Sequence, residues 1–192
     1  MIGHISGAIV AIRKDRAIID AGGIGYIIFT TPETLAALTE GERAEFLTHL
    51  AVRENSLDLY GFLREEELSM FEMLISVSGI GPKSALGVLS IAGFQDVGRA
   101  ISEGNSAYLT KVSGIGKKTA ERIVMELKDK VLHDGKMHGV LKNSEDALEA
   151  LVAMGYSLGE AREAMKNVPE KTTDSGERLK EALKVLWGAR SL

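Results

Sequence analysis

Along residues 1–62 apolar and polar side chains alternate with a period near two. The β-branched runs "AIV", "AIID" and "GYIIF" are separated by charged or glycine-containing turns, which predicts short strands. In "AEFLTHLAVRE", Phe46, Thr48, Leu50 and Val52 fall on one face and Leu47, His49, Ala51 and Arg53 on the other, as in a barrel strand. "DAGGIGY" places Gly22, Gly23 and Gly25 where a hairpin or bulge needs unusual backbone angles. "PETLAAL" reads as one short helix among about five strands. A small closed β-barrel follows, of OB-fold form, with an SH3-like barrel as the alternative.

After Gly61 the period becomes helical. In "EEELSMFEMLISV", Leu68, Phe71, Leu74 and Ile75 form a stripe, and Glu65 to Glu67 occupy the first turn, where the helix dipole favours them. Short helices are predicted over 83–92, 94–103, 106–112 and 117–131. Residues 133–144, "HDGKMHGVLKNS", break the pattern and read as a linker. Beyond it come three amphipathic stretches, 145–154, 158–167 and about 175–187. Ser157 with Glu160 and Asp174 with Glu177 have capping-box spacing, and Gly155 stands at a helix C-terminus. The organisation is therefore α+β and multidomain: a barrel over 1–62, an all-α domain over 63–132, a linker, and a three-helix bundle over 145–192. So small a bundle has a marginal core, so an exposed apolar patch on it would serve a partner.

Composition narrows the function. With 192 residues, 45% hydrophobic and 26% charged, wholesale disorder is not expected, and no apolar run approaches the roughly twenty residues of a membrane span. The first twenty residues lack a secretory leader's basic flank and cleavage site, so a cytoplasmic location is expected. Zero cysteines remove disulfides, thiolate nucleophiles and cysteine-ligated metals. His133 and His138 flank "DGKM", but two histidines without a carboxylate constellation do not make a metal site, and no cofactor is expected. The formal net charge of −4 argues weakly against a nucleic-acid partner. Charge is uneven, however: residues 109–131 carry six basic groups, Lys111, Lys117, Lys118, Arg122, Lys128 and Lys130, against three acidic ones.

That basic segment surrounds a repeated phrase. "VSGIGPKSALGVL" from Val77 returns as "VSGIGKKTAERIV" from Val112, with seven identities in thirteen positions. In each copy a Gly-x-Gly turn leads into a helix with Lys near its start. Glycine permits positive φ and puts no Cβ between backbone and ligand. Gly79 and Gly81, or Gly114 and Gly116, can therefore aim N–H groups outward, reinforced by the unpaired donors of the helix start. Ile80 and Ile115 point inward as anchors. Lys83, Lys117, Lys118 and Arg122 supply charge, and Ser84 and Thr119 supply hydroxyls. One copy could be a mere helix connection. Two rigid cradles at a fixed separation fit a polyanion with regularly spaced phosphates, and binding of that kind carries no base information. Neither a Walker A loop nor a dinucleotide fingerprint is in register, so nucleotide hydrolysis by the chain itself is not expected.

These residues resemble a known family. "VSGIGPK" and "VSGIGKKTAERIV" are similar to the paired helix-hairpin-helix motifs of the RuvA family of Holliday junction branch migration subunits. "MIGHISG", "GGIGY", "VRENSLDLYGF" at 52–62 and "LVAMGY" at 151–156 resemble its other segments in the same order. The resemblance spans essentially the whole chain. It implies an OB-fold domain, tandem helix-hairpin-helix motifs, and a tethered three-helix, UBA-like domain. It further implies a homotetramer, sometimes an octamer on DNA, that holds a four-way junction open and square during recombination and repair. The third domain would engage the hexameric RuvB motor, which supplies ATP hydrolysis, and the RuvC resolvase would follow. By position, Gly79, Gly81, Lys83, Gly114, Gly116, Lys117 and Lys118 would contact phosphates. Glu54 and Asn55 would form the family's acidic pin, where two adjacent carboxylates are usual and one is replaced here. Leu151, Met154, Tyr156 and Leu183 are candidates for the motor-binding patch or, alternatively, for the bundle core.

Two rival functions remain at this point. A repair glycosylase or nuclease would need a catalytic Asp or Lys beside a hairpin, or clustered carboxylates, and neither is visible. A protein-interaction adaptor would use the hairpins as structure only.

Overall fold

The computed structural model describes residues 1–91, 93–112, 114–133, 143, 146–168, 172 and 174–190. They form two compact units, Met1–Val131 and Leu132–Leu192. Most of the expected linker, including His138, lies outside the described residues.

The first unit opens with five strands: β1 (His4–Ile12), β2 (Arg16–Ala21), β3 (Ile24–Phe29), β4 (Arg43–Arg53) and β5 (Ser56–Phe62). They close in the order β1-β2-β3-β5-β4, antiparallel throughout except where β3 meets β5. Helix α1 (Pro32–Ala36) bridges β3 and β4, capped by the Thr31 side chain. This order and helix position are those of the OB fold and resolve the alternative left by strand count. Ile5, Ile9, Ile19, Ile28, Phe46 and Leu59 fill the barrel. At the β2–β3 turn Gly22 and Gly23 both take positive φ, and the Asp20 carboxylate accepts from the Gly23 N–H at 2.7 Å.

The alternation expected along β4 holds for Phe46 and Thr48 and then fails. Ala51 is buried, whereas Val52 is 68% exposed. The cause is that the β4–β5 ladder continues past the barrel to a two-residue turn, Glu54 and Asn55, with Val52 opposite Leu57 and Arg53 opposite Ser56. Past the barrel's rim an inward-facing position meets solvent.

Helix α2 (Glu65–Ser76) packs on the barrel through Phe71, whose ring lies 5.3 Å from Tyr60 and 5.0 Å from Phe62. Helices α3 (Pro82–Ile91), α4 (Phe94–Ser102), α5 (Ser106–Leu109) and α6 (Lys117–His133) follow. Ala85, Val97, Ile101, Leu109, Ile123 and Leu127 are their buried side, together with Leu74 of α2. The second unit holds α7 (146–153), α8 (Leu158–Lys166) and α9 (Ser175–Arg190), around Leu151, Ala161, Ala164, Val168 and Ala182. Ser157 and Glu160 make both halves of a capping box, and Asp174 accepts from the N–H groups of Gly176 and Glu177. Among the described residues no helix is long and apolar enough to cross a membrane.

Candidate nucleic-acid interface

Both repeats fold the same way. Val77 and Val112 are buried one and three residues past the ends of α2 and α5, and the N–H of Ile80 or Ile115 bonds back to the valine carbonyl at 3.0 or 3.1 Å. Gly79 at φ +91° and Gly114 at φ +86° then reverse the chain in a region closed to other residues without strain. Ile80 and Ile115 are buried, so the anchors point inward and each turn is held from below. The second glycine of each copy is the cap of the next helix, its carbonyl accepting from Ala85 or Ala120 at 3.0 Å. A glycine cap has no side chain to satisfy the first-turn donors of α3 and α6, which leaves them for water or an anion.

Gly81 and Gly116 differ from Gly79 and Gly114 in an informative way. Neither has positive φ, and a Cβ on Gly116 would meet no atom within 4 Å outside its chain neighbours. A Cβ on Gly81 would meet only the Arg53 guanidinium, at 3.8 Å. The fold admits a side chain at both positions. What a side chain would obstruct is close approach from outside.

Charge gathers at the same turns. Lys83, Lys117 and Lys118 are exposed on the first turns of α3 and α6, and Ser84 and Thr119 are half-buried beside them. Lys117 lies 4.0 Å from Glu121, one turn on, a solvated pair of little energetic weight. Arg122 donates from Nη1 to the Ser78 carbonyl at 3.1 Å, which ties the second motif to the turn of the first. Lys130 reaches the Ser76 hydroxyl at 3.4 Å between the same two segments. These two bonds, and the position of Arg53 beside Gly81, escaped sequence reasoning because they join residues far apart along the chain. Glu54 and Asn55 are exposed at the β4–β5 turn.

In the second unit the four apolar candidates separate. Leu151 is fully buried at the centre of the core, which is the core alternative given for it from the sequence. Tyr156 and Leu183 are half-buried against that core, while Met154 is 55% exposed. Leu179, Leu183 and Trp187 with Lys180 and Lys184 line a shallow groove of about 240 Å³ along α9. Among the described residues no group of His, Cys, Asp or Glu could hold a metal ion.

Three family models match successive parts of the chain: RuvA N terminal domain over residues 1–61, SAM-like Helix-hairpin-helix tandem over 71–129, and RuvA, C-terminal domain over 142–186. Similar proteins carry the name Holliday junction branch migration complex subunit RuvA. The one from Thermoanaerobacter sp. (strain X514) is 43% identical over 188 residues, covering 97% of this chain and 99% of that one. Those from Dehalococcoides mccartyi and Mycolicibacterium smegmatis are 42% identical over 190 residues and 40% over 194. They cover 95% and 97% of this chain, and 97% and 98% of their own.

Proposed function

Because this chain belongs to the RuvA family, we propose that it is the non-enzymatic, DNA-binding subunit of a branch migration complex and binds four-way junction DNA by structure rather than sequence. The observation that carries this is the pair of glycine-capped helix starts, tied together by Arg122 and Ser78, with side-chain room at Gly81 and Gly116 that the fold leaves empty. Each cradle takes a phosphate through backbone N–H groups, with Lys83 and Ser84 at the first and Lys117, Lys118 and Thr119 at the second. Arg122 keeps four N–H donors after bonding Ser78 and adds to the same surface. Backbone donors on phosphates position a duplex without reading its bases.

Four subunits supply four such surfaces around a junction, with the barrel domains, 1–62, at the centre and the hairpin domains, 63–132, along the arms. Glu54 at the tip of the β4–β5 hairpin repels backbone from the centre, and Asn55 beside it halves the charge per subunit. The third domain, 145–192, recruits a RuvB-type motor through Met154, Tyr156 and Leu183. Hydrolysis belongs to that motor, resolution to a RuvC-type nuclease, and a second tetramer can close over the other DNA face. The work is done in the cytoplasm.

The test is a gel-shift titration of the full-length protein against labelled four-way junction and linear duplex of the same sequence, with Mg²⁺ present. Preference for the junction, unchanged when the arm sequences are exchanged and without strand cleavage, is expected. Equal affinity for linear duplex would leave the adaptor reading, and cleavage or base release would leave the enzyme reading.

A further inference from the structure

The two copies of the repeated phrase differ in charge at three positions, Pro82 against Lys117, Leu86 against Glu121 and Gly87 against Arg122, and the first of these lies at the helix start. Pro82 stands in the first where Lys117 stands in the second, so α3 begins without the extra cation and without the N–H that α6 has there. The barrel returns the charge from outside the motif. Arg53, the last residue of β4, carries its Nη2 to 3.8 Å from the point where a Cβ on Gly81 would sit. The corresponding point at Gly116, where the sequence provides its own second lysine, has no such neighbour.

We propose that Arg53 is a phosphate-binding residue that completes the first cradle, doing in three dimensions what Lys117 does within the second copy. This rests on the reading of the hairpins as DNA-backbone sites. A guanidinium beside the positive end of a helix, with Lys83 on the same turn, is unfavourable unless an anion joins them. No described residue forms an ion pair with Arg53, although Glu54 is its chain neighbour and Asp58 lies nearby on β5. The guanidinium presents paired N–H groups that match phosphate oxygens, a fork that neither Lys83 nor Pro82 offers. The bare face of Gly81 lets one phosphate reach the turn's backbone and the Arg53 fork together.

The experiment measures binding of full-length wild type, Arg53→Gln, Arg53→Lys and Lys118→Ala to four-way junction DNA over a range of salt concentrations, with melting temperatures recorded. Arg53→Gln is expected to weaken binding at least several-fold near 0.1 M salt and to flatten the log–log slope by about 0.9 for each phosphate no longer neutralised. Arg53→Lys should restore the slope while recovering only part of the affinity, since it keeps the charge and loses the fork. If Arg53→Gln matches wild type in affinity and slope while Lys118→Ala flattens the slope, this inference fails and the DNA reading stands. A wild type that binds junction no better than linear duplex overturns both.

Discussion

Arg122 on α6 donates a hydrogen bond to the main-chain oxygen of Ser78, 3.1 Å away and 44 positions earlier in the chain. One motif thereby fixes the turn of the other. A cradle that binds one phosphate is indifferent to where a second cradle lies, but a rail of regularly spaced phosphates is not. The bond is the physical form of the fixed separation that duplication requires.

It follows that Arg122→Ala should harm binding in a way that loss of charge alone does not explain. Counterion release vanishes on extrapolation of log K to 1 M salt, so a variant that merely neutralises one phosphate fewer converges there with wild type. Lys118→Ala should converge. Arg122→Ala should remain weaker by about 1 kcal/mol, the scale of one hydrogen bond, because the two turns are no longer held in register. Convergence of both lines would reduce Arg122 to an ordinary phosphate ligand.

The glycines separate fold from function. At Gly114, with φ of +86°, alanine is strained and should lower stability by about 1–2 kcal/mol. At Gly116 a Cβ meets open space, so alanine should leave the melting temperature unchanged or raise it slightly. Both variants should lose most junction affinity, Gly114→Ala by distorting the cradle and Gly116→Ala by standing where a phosphate oxygen must come. Melting curves and gel shifts on the same preparations check this. Gly116→Ala with wild-type affinity would show that nothing approaches that backbone closely.

Much of this was legible along the chain because the signals were local. The period of two, the Gly-Gly turn after Asp20, the capping box at Ser157 and the repeated Gly-x-Gly phrase each lie within a few residues. The closed barrel and the inward anchors Ile80 and Ile115 followed from them. What the sequence hid was set by distant neighbours. Val52 reads as core until the hairpin is seen to outrun the barrel, and Leu151 reads as surface or core until α8 and α9 enclose it. Arg53 reads as a polar strand position until the fold brings it beside Gly81.

Gly7 is such a case with a measurable cost. A Cβ there would fall 2.1 Å from the main-chain oxygen of Asp20 on β2, and backbone cannot yield as a side chain can. Gly7→Ala must therefore part β1 from β2. A loss of at least about 3 kcal/mol is expected, at the upper end of single-substitution effects. Urea denaturation of the isolated variant would show it. A loss below about 1 kcal/mol would mean that the two strands approach less closely.

Glu67, in the first turn of α2, is the buried carboxylate among the described residues of the first unit, 8% exposed. Its Oε1 lies 3.2 Å from Arg64, whose guanidinium also covers the Phe94 ring at 4.6 Å, and its Oε2 is buried without a hydrogen-bond partner. Burial pushes its pKa above the ordinary 4.5; the Arg64 charge opposes this, and Glu33 on α1 adds a smaller upward push. Desolvation wins because one oxygen is paired and the other is not. The folded state then holds the proton at a pH where the unfolded chain has released it. Stability from this group is complete below 4.5 and is lost as pH rises through the higher folded value. Each unit of upward displacement corresponds to about 1.4 kcal/mol lost. Glu67→Gln keeps an acceptor for Arg64 and removes the titration, so its stability relative to wild type should climb with pH above 4.5 and then level off. Thermal unfolding of both proteins between about pH 4 and pH 8 measures that difference and cancels every other titrating group. A difference that is flat, or that falls with pH, would mean that Arg64 outweighs burial and that Glu67 is a stabilising ion-pair partner at neutral pH.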